Sequence, residues 1–168
     1  MNYLKGIDEQ EAIRWMLEAA QVAKKALCLK AKCGTVITND GRIIGSGYNA
    51  PPLDGESNRH CLDQYDFSGK PRYDHTCCMH AEWRAILDAM KRSPDDIKGS
   101  KLYFTRVDNE GNIIRSGEPF CTVCSRFALD VGIASFVLWQ DKGIRSYPTD
   151  KYNRLSYEYR DPAASKNH

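Results

Sequence analysis

The residues of this chain best suited to chemistry are His80-Ala81-Glu82 and, about forty positions later, Cys121-Thr122-Val123-Cys124. His80, Cys121 and Cys124 are ligands of the kind zinc takes. Three protein ligands leave one tetrahedral position open, which is the arrangement of a catalytic rather than a structural zinc. A water in that position ionises near neutral pH. Glu82, two residues past the histidine, is then a carboxylate that is not a ligand and can act as catalytic proton shuttle. An H-x-E triplet with a downstream C-x-x-C pair suits hydrolytic attack on an amidine-like carbon with loss of ammonia. Either motif alone is weak, since C-x-x-C also serves redox sites and structural zinc ribbons. Their combination at this spacing favours the open zinc site.

The two motifs need elements that bring them to one point. Residues 9–29 read as an amphipathic helix behind an Asp8-x-x-Glu11 capping pattern, with Ile13, Met16, Leu17, Ala20 and Leu27 near helical spacing. Gly34–Thr38 and Arg42–Tyr48 read as two strands of a hairpin about the turn signal Asn39-Asp40-Gly41. A helix is expected over 79–92, with Glu82, Ile86, Ala89 and Met90 near one face, then a strand over 101–107, a helix over 122–131 and a strand over 134–140. Residues 108–117 suit a second hairpin or a flap, and the tail 143–168 has no clear assignment. His80 then starts one helix and Cys121 and Cys124 start another, where unpaired N–H groups and partial positive charge favour thiolates. Strands joined by helices pair in parallel, and the hairpin adds an antiparallel pair. The expected fold is α/β: a three-layer α-β-α sandwich around a mixed sheet of about five strands, in one domain spanning 1–168.

Composition is that of an ordinary soluble globular protein. The chain has 168 residues, 42% hydrophobic and 27% charged, with a net charge of +2. That charge gives no support for wholesale nucleic-acid binding and leaves local basic patches open. No apolar run approaches a membrane span, and the first thirty residues lack a signal-peptide core, so a cytoplasmic location is expected. Seven cysteines without an export signal point to metal binding or free thiols rather than disulfides.

The segment Gly34-Thr-Val-Ile-Thr-Asn-Asp-Gly-Arg-Ile-Ile-Gly-Ser-Gly-Tyr-Asn49, with His80-Ala-Glu82 and Cys121-x-x-Cys124, resembles the cytidine and deoxycytidylate deaminase superfamily over roughly residues 30–140. Gly47-Tyr-Asn-Ala-Pro-Pro52 and the His60-Cys61 pair are similar to the deoxycytidylate group. Three departures stand out: Phe120 lies between Pro119 and Cys121, Ala50 replaces a glycine, and 108–118 is long. The resemblance implies a cytidine deaminase-like sandwich, a zinc cofactor, and hydrolysis of a pyrimidine nucleotide, dCMP to dUMP, by a homo-oligomer. It implies that Asn49 contacts the substrate, with Ala81 and Phe120 at the site. Arg106, Arg115 and Arg126 are candidates to hold a 5′-phosphate, and Tyr103, Trp83 and Phe120 to pack on a base. A second, structural zinc has candidate ligands in His60, Cys61, His75 and Cys77, with Cys28, Cys33 and Cys78 nearby in the reading; buried free thiols are the plainer account. The interleaved bases and aromatics of 151–160 suit either stacking on single-stranded nucleic acid or docking on the domain, and docking is favoured. Rival functions are a deaminase of another base, whether free, in a nucleoside or within RNA or DNA, and a non-catalytic zinc module that binds a partner.

Overall fold

The computed structural model describes residues 3–63 and 77–160; His75, with the rest of 64–76, and residues 161–168 lie outside them. Helix α1 (Ile7–Ala23) is followed by strands β1 (Lys32–Asn39) and β2 (Arg42–Tyr48), helix α2 (Ala81–Arg92), strand β3 (Lys101–Val107), the short β4 (Ile113–Ile114), helix α3 (Thr122–Asp130), strands β5 (Ser135–Gln140) and β6 (Gly143–Pro148), and helix α4 (Thr149–Glu158). The strands form one sheet in the order β2-β1-β3-β5-β6, with β4 paired to the end of β3. Among the described strands only β3 and β5 pair in parallel; the remaining pairs are antiparallel. The crossover through α3 makes that parallel pair, whereas β1 intervenes between β2 and β3. No described helix is long and apolar enough to cross a membrane.

Strand alternation assigns the faces. Val36, Tyr103, Val137 and Ile144 pack with Ala12, Trp15, Met16 and Ala19 of α1. Their neighbours Ile37, Leu102, Phe104, Phe136 and Leu138 face Ala85, Ile86, Ala89, Ala128 and Tyr152, from α2, α3 and α4. This is the three-layer sandwich.

The hairpin turn is Asp40-Gly41, both with positive φ (47° and 70°), the two-residue turn whose twist matches its strands. A bulge between Ile37 and Thr38 shifts the register. Helix α1 ends at Ala23, short of the expected 29. The Leu27 N–H turns away to the Asn49 carbonyl at 3.1 Å, and the chain heads into β1. The Asp8 cap is not formed either: Gly6, at φ 62°, precedes the helix without a side-chain cap, and Asp8 stands in the first turn. Glu11 instead accepts the Trp15 indole N–H at 3.3 Å. Met90, expected on the buried face of α2, is exposed.

The segment 108–118 is a hairpin arm. Asp108 Oδ1 accepts the Asn112 N–H at 2.8 Å, β4 pairs with β3, and the Ser116 N–H donates to the Trp139 carbonyl at 2.8 Å. The tail docks: β6 pairs with β5, and α4 lies against α3 through Asn153 Nδ2 to Ser125 Oγ (2.9 Å) and the Ser125–Ser156 hydroxyl pair (3.3 Å).

Candidate metal centre and active-site cleft

Two helix starts face one point. His80 precedes α2 in extended conformation, and Cys121 precedes α3 with its sulfur accepting the Cys124 N–H at 3.3 Å. Close packing against β2 sets where α2 begins. A Cβ on Gly47 would stand 2.4 Å from the Ala81 carbonyl oxygen, and one on Gly45 would stand 2.4 Å from that of Ala85. An isolated bridge between Ala50 and Met79, with the Met79 N–H 2.8 Å from the Ala50 carbonyl, fixes the residue before His80. The His80 ring stacks on Trp83, centroids 4.5 Å apart and planes 11° from parallel. The Trp83 indole N–H is buried without a hydrogen-bond partner among the described residues.

His80 Nδ1 lies 3.1 Å from Cys124 Sγ and 3.6 Å from Cys121 Sγ, and the sulfurs are 2.7 Å apart. Among the described residues these three form the one His, Cys, Asp or Glu group compact enough to hold a metal ion. Ligands of a tetrahedral zinc lie roughly 3.5–3.8 Å from one another. The separation of His80 Nδ1 from Cys121 Sγ fits, that from Cys124 Sγ would open by about 0.4 Å, and the sulfurs would part by about 1 Å. The electrostatics fit as well. The Cys124 hydrogen bond draws the Cys121 thiol's pKa down, while burial pushes that of Cys124 well up, so the bare pair ionises once. Burial and the Cys121 charge raise the pKa of Glu82, which is 6% exposed. Burial disfavours a charged His80, but the Cys121 hydrogen bond and the Glu82 charge outweigh it and the net shift is upward. Two sulfurs and a carboxylate crowd one imidazole, a donor set short of positive charge that a divalent cation would satisfy.

His80 of this centre and Glu82 line a cleft of about 190 Å³ together with Cys28, Lys30, Cys33, Asn49, Cys61, Cys77, Cys78, Ala81, Phe104 and Phe120. Asn49 anchors the loop beside it: Oδ1 accepts the Cys33 N–H and Nδ2 donates to the Ala31 carbonyl, both at 2.8 Å. One amide hydrogen and one lone pair remain for a ligand. Burial pushes the Cys33 thiol to about 12, so it stays protonated.

The structure distributes the remaining candidates. Arg106, Arg115 and Arg126 are not among the cleft's lining residues: Arg106 is paired opposite Cys33 and Ile114, the Arg115 guanidinium lies 4.0 Å over the Trp139 ring, and Arg126 Nε donates to the Thr122 carbonyl. Lys30 is the cation on the cleft wall, and Phe104 an aromatic there. Sequence reasoning missed both, because the turn after α1 and the middle of β3 meet only through tertiary packing. Tyr103 faces α1 in the core on the other side of the sheet. Of the second-zinc candidates, Cys61 and Cys77 line the cleft with Cys28 and Cys78, while the His60 imidazole pairs with Asp63 at 2.9 Å; His75 is outside the described residues.

Phe120 is 53% exposed and its ring meets that of Tyr159, centroids 5.9 Å apart and planes tilted by 50°. Beneath it, Tyr152 stacks on Phe136 at 4.1 Å. Burial drives the Tyr152 phenol's pKa well up, as do the nearby Glu82, Cys124 and Cys121 charges, while a hydrogen bond with the Phe120 backbone works the other way.

The family described as cytidine and deoxycytidylate deaminase zinc-binding region matches residues 9–140. Deoxycytidylate deaminase of Saccharomyces cerevisiae (strain ATCC 204508 / S288c) is 38% identical over 134 residues, which are 75% of this chain and 36% of that protein, so the match spans about a third of that relative's length. Deoxycytidylate deaminase of Mycobacterium phage D29 is 29% identical over 125 residues, 71% of this chain and 86% of the phage protein. The crystal structure of dCMP deaminase from the cyanophage S-TIM5, in complex with dCMP and dUMP, superposes with a TM-score of 0.54 at 22% identity, covering 79% of this chain and 82% of that one, a likeness of fold. The chain belongs to the cytidine and deoxycytidylate deaminase family, and within its zinc-binding region His80, Cys121 and Cys124 form a cluster able to hold a zinc ion.

Proposed function

We propose that the protein is a zinc-dependent hydrolytic deaminase of a pyrimidine nucleotide, converting dCMP and water to dUMP and ammonia. The observation that carries this reading is the buried Glu82 carboxyl beside the His80–Cys121–Cys124 cluster, on the wall of a cleft that also presents Asn49, Lys30, Phe104 and Phe120. The deoxycytidylate deaminase relatives support the choice of base.

His80 Nδ1 and the two sulfurs would hold a zinc ion, which would supply the Lewis acidity that makes a water acidic enough to attack at neutral pH. The raised proton affinity of Glu82 suits a group that takes a proton and gives it back. Glu82 accepts one proton of the attacking water and delivers it to the ring nitrogen next to the reacting carbon, then takes the second proton from the added hydroxyl and passes it to the departing amine. One C–N bond breaks and one C–O bond forms, with no net change of oxidation state. Asn49 offers its spare amide hydrogen and lone pair to the sugar or base. Phe104 and Phe120 give apolar walls for the ring, and Lys30 a cation for a 5′-phosphate. Assembly into a homo-oligomer belongs to the same reading.

The test is ammonia release by the zinc-loaded protein from dCMP, cytidine, cytosine and a single-stranded oligonucleotide. Turnover of dCMP well above the other three is expected. Faster release from cytidine or from the oligonucleotide would move the substrate assignment, and none from any of them would sink the reading of a cytosine deaminase.

A further inference from the structure

The region matched by the family ends at residue 140, and the chain beyond that point reaches back to Phe120 on the cleft wall. Strand β6 and helix α4 return the chain across the sheet, and α4 is fixed to α3 by Asn153 and Ser156, both at Ser125 Oγ. Ser125 directly follows Cys124. The residue capping the end of α4 is Tyr159, whose N–H donates to the Leu155 carbonyl at 3.0 Å. That cap places the Tyr159 ring against Phe120, the residue next to Cys121. Phe120 lines the cleft, and Tyr159 is not among its lining residues. A phenyl ring half in solvent on a loop has several rotamers open to it, and an aromatic neighbour restricts them.

We infer that α4 completes the site, with Tyr159 as a positioning residue that holds the Phe120 ring as a fixed wall of the cleft against the substrate's pyrimidine. The inference rests on the deaminase reading for the identity of that substrate, and on geometry alone for the contact. It gives the C-terminal segment a role in substrate affinity although it touches neither metal ligand nor substrate. The Phe120 ring does the contacting; Tyr159 acts through it.

The test is a double-mutant cycle on the full chain. In a Glu82→Gln background, where substrate is bound without turnover, dCMP affinity is measured for Phe120→Ala, Tyr159→Ala, Tyr159→Phe and the double alanine variant. Hydrogen exchange of the amides at 118–122 is followed in the same zinc-loaded proteins without nucleotide. Tyr159→Ala is expected to weaken dCMP binding about three- to tenfold and to speed exchange in the loop, with zinc content unchanged. Tyr159→Phe is expected to restore both, and the double variant to match Phe120→Ala alone. Additive losses in the double variant, or unchanged exchange in Tyr159→Ala, would overturn the inference. If dCMP fails to bind while the exchange still depends on Tyr159, the substrate reading falls and the positioning contact stands.

Discussion

Gly47 of β2 lies directly under Ala81 of α2, so closely that a Cβ at position 47 would stand 2.4 Å from the Ala81 carbonyl oxygen and 2.4 Å from the Ala85 nitrogen. Both neighbours are helix backbone, which cannot rotate away. Gly47→Ala must therefore push the start of α2 outward, carrying His80 and Glu82 with it. Overpacking of this kind costs roughly 1–3 kcal/mol or more. Urea unfolding is expected to show that loss, and chelator competition a weaker zinc site. Gly117→Ala is the control: a Cβ there meets nothing within 4 Å, and stability should change by no more than about 0.5 kcal/mol.

The parts of this architecture that the sequence made legible are those set by local rules. Asp40-Gly41 announces its turn, and the H-x-E and C-x-x-C spacings announce two helix starts that bring His80, Cys121 and Cys124 to one point. The end of α1 was not legible, because a tertiary hydrogen bond from Leu27 to Asn49 overrides a helical pattern that runs on to Leu27. Lys30 and Phe104 escaped for a similar reason, being far apart in sequence and joined only at the cleft. The tail escaped because α4 buries Thr149, Tyr152 and Ser156 rather than aliphatic residues, and its contacts with α3 are hydroxyl and amide hydrogen bonds. Tyr152 and Leu155 are the apolar members of that face, too few for their helical spacing to stand out. The reverse also held: Arg106, Arg115 and Arg126 had the right chemistry, and strand register, a ring contact and a bond to the Thr122 carbonyl direct them elsewhere.

Glu82→Gln separates metal binding from proton transfer. The amide keeps the size of the carboxyl but cannot carry a proton between water, ring and leaving amine. Deamination is expected to fall by at least about a hundredfold, the lower end of what general acid–base catalysis supplies. Zinc content by atomic emission is expected to stay near that of the parent, since the ligand cluster does not include residue 82. Loss of zinc together with activity would instead make Glu82 a ligand.

Tyr48 and Asp54 link the end of β2 to the loop before the cleft, and their hydrogen bond is pH-sensitive from both sides. The Tyr48 hydroxyl donates to Asp54 Oδ2 at 2.6 Å, and Arg84 pairs with the same carboxylate at 2.8 Å. The hydrogen bond from Tyr48, with Arg84, lowers the pKa of Asp54, and the same bond raises that of Tyr48. A depressed carboxyl pKa gives stability present above the unfolded value of about 3.9 and lost as pH falls through the folded one. A raised phenol pKa gives stability present below about 10 and lost as pH rises through the folded value. Tyr48→Phe should therefore cost most near pH 7, with the difference from the parent shrinking both below about pH 4 and above about pH 10. The side chain of Asp54 is 38% exposed, so screening holds the effect to about 1 kcal/mol or less. Urea unfolding at three pH values, with and without added salt, reads it; a pH-independent difference would show that only the ring matters.

Trp83 bears on the metal without touching it. Its indole lies nearly parallel to the His80 imidazole, 4.5 Å away, and so fixes the ring plane that aims Nδ1 at the two sulfurs. Neighbours that orient a ligating histidine are worth roughly 10–100-fold in metal affinity when they are lost. The usual such neighbour is a hydrogen-bond acceptor; here a ring face does the orienting, so the lower end of that range applies. Trp83→Ala is expected to weaken zinc by about tenfold in chelator competition. Trp83→Phe keeps an aromatic face against the imidazole, and it removes a buried indole N–H that has no hydrogen-bond partner among the described residues. It is therefore expected to hold zinc almost as the parent does, because no hydrogen bond is lost with the nitrogen. Cobalt substituted for zinc makes the ligand geometry visible: the absorption bands should broaden in Trp83→Ala and keep their shape in Trp83→Phe. Equal zinc affinities in the parent and Trp83→Ala would mean that the two sulfurs alone orient His80.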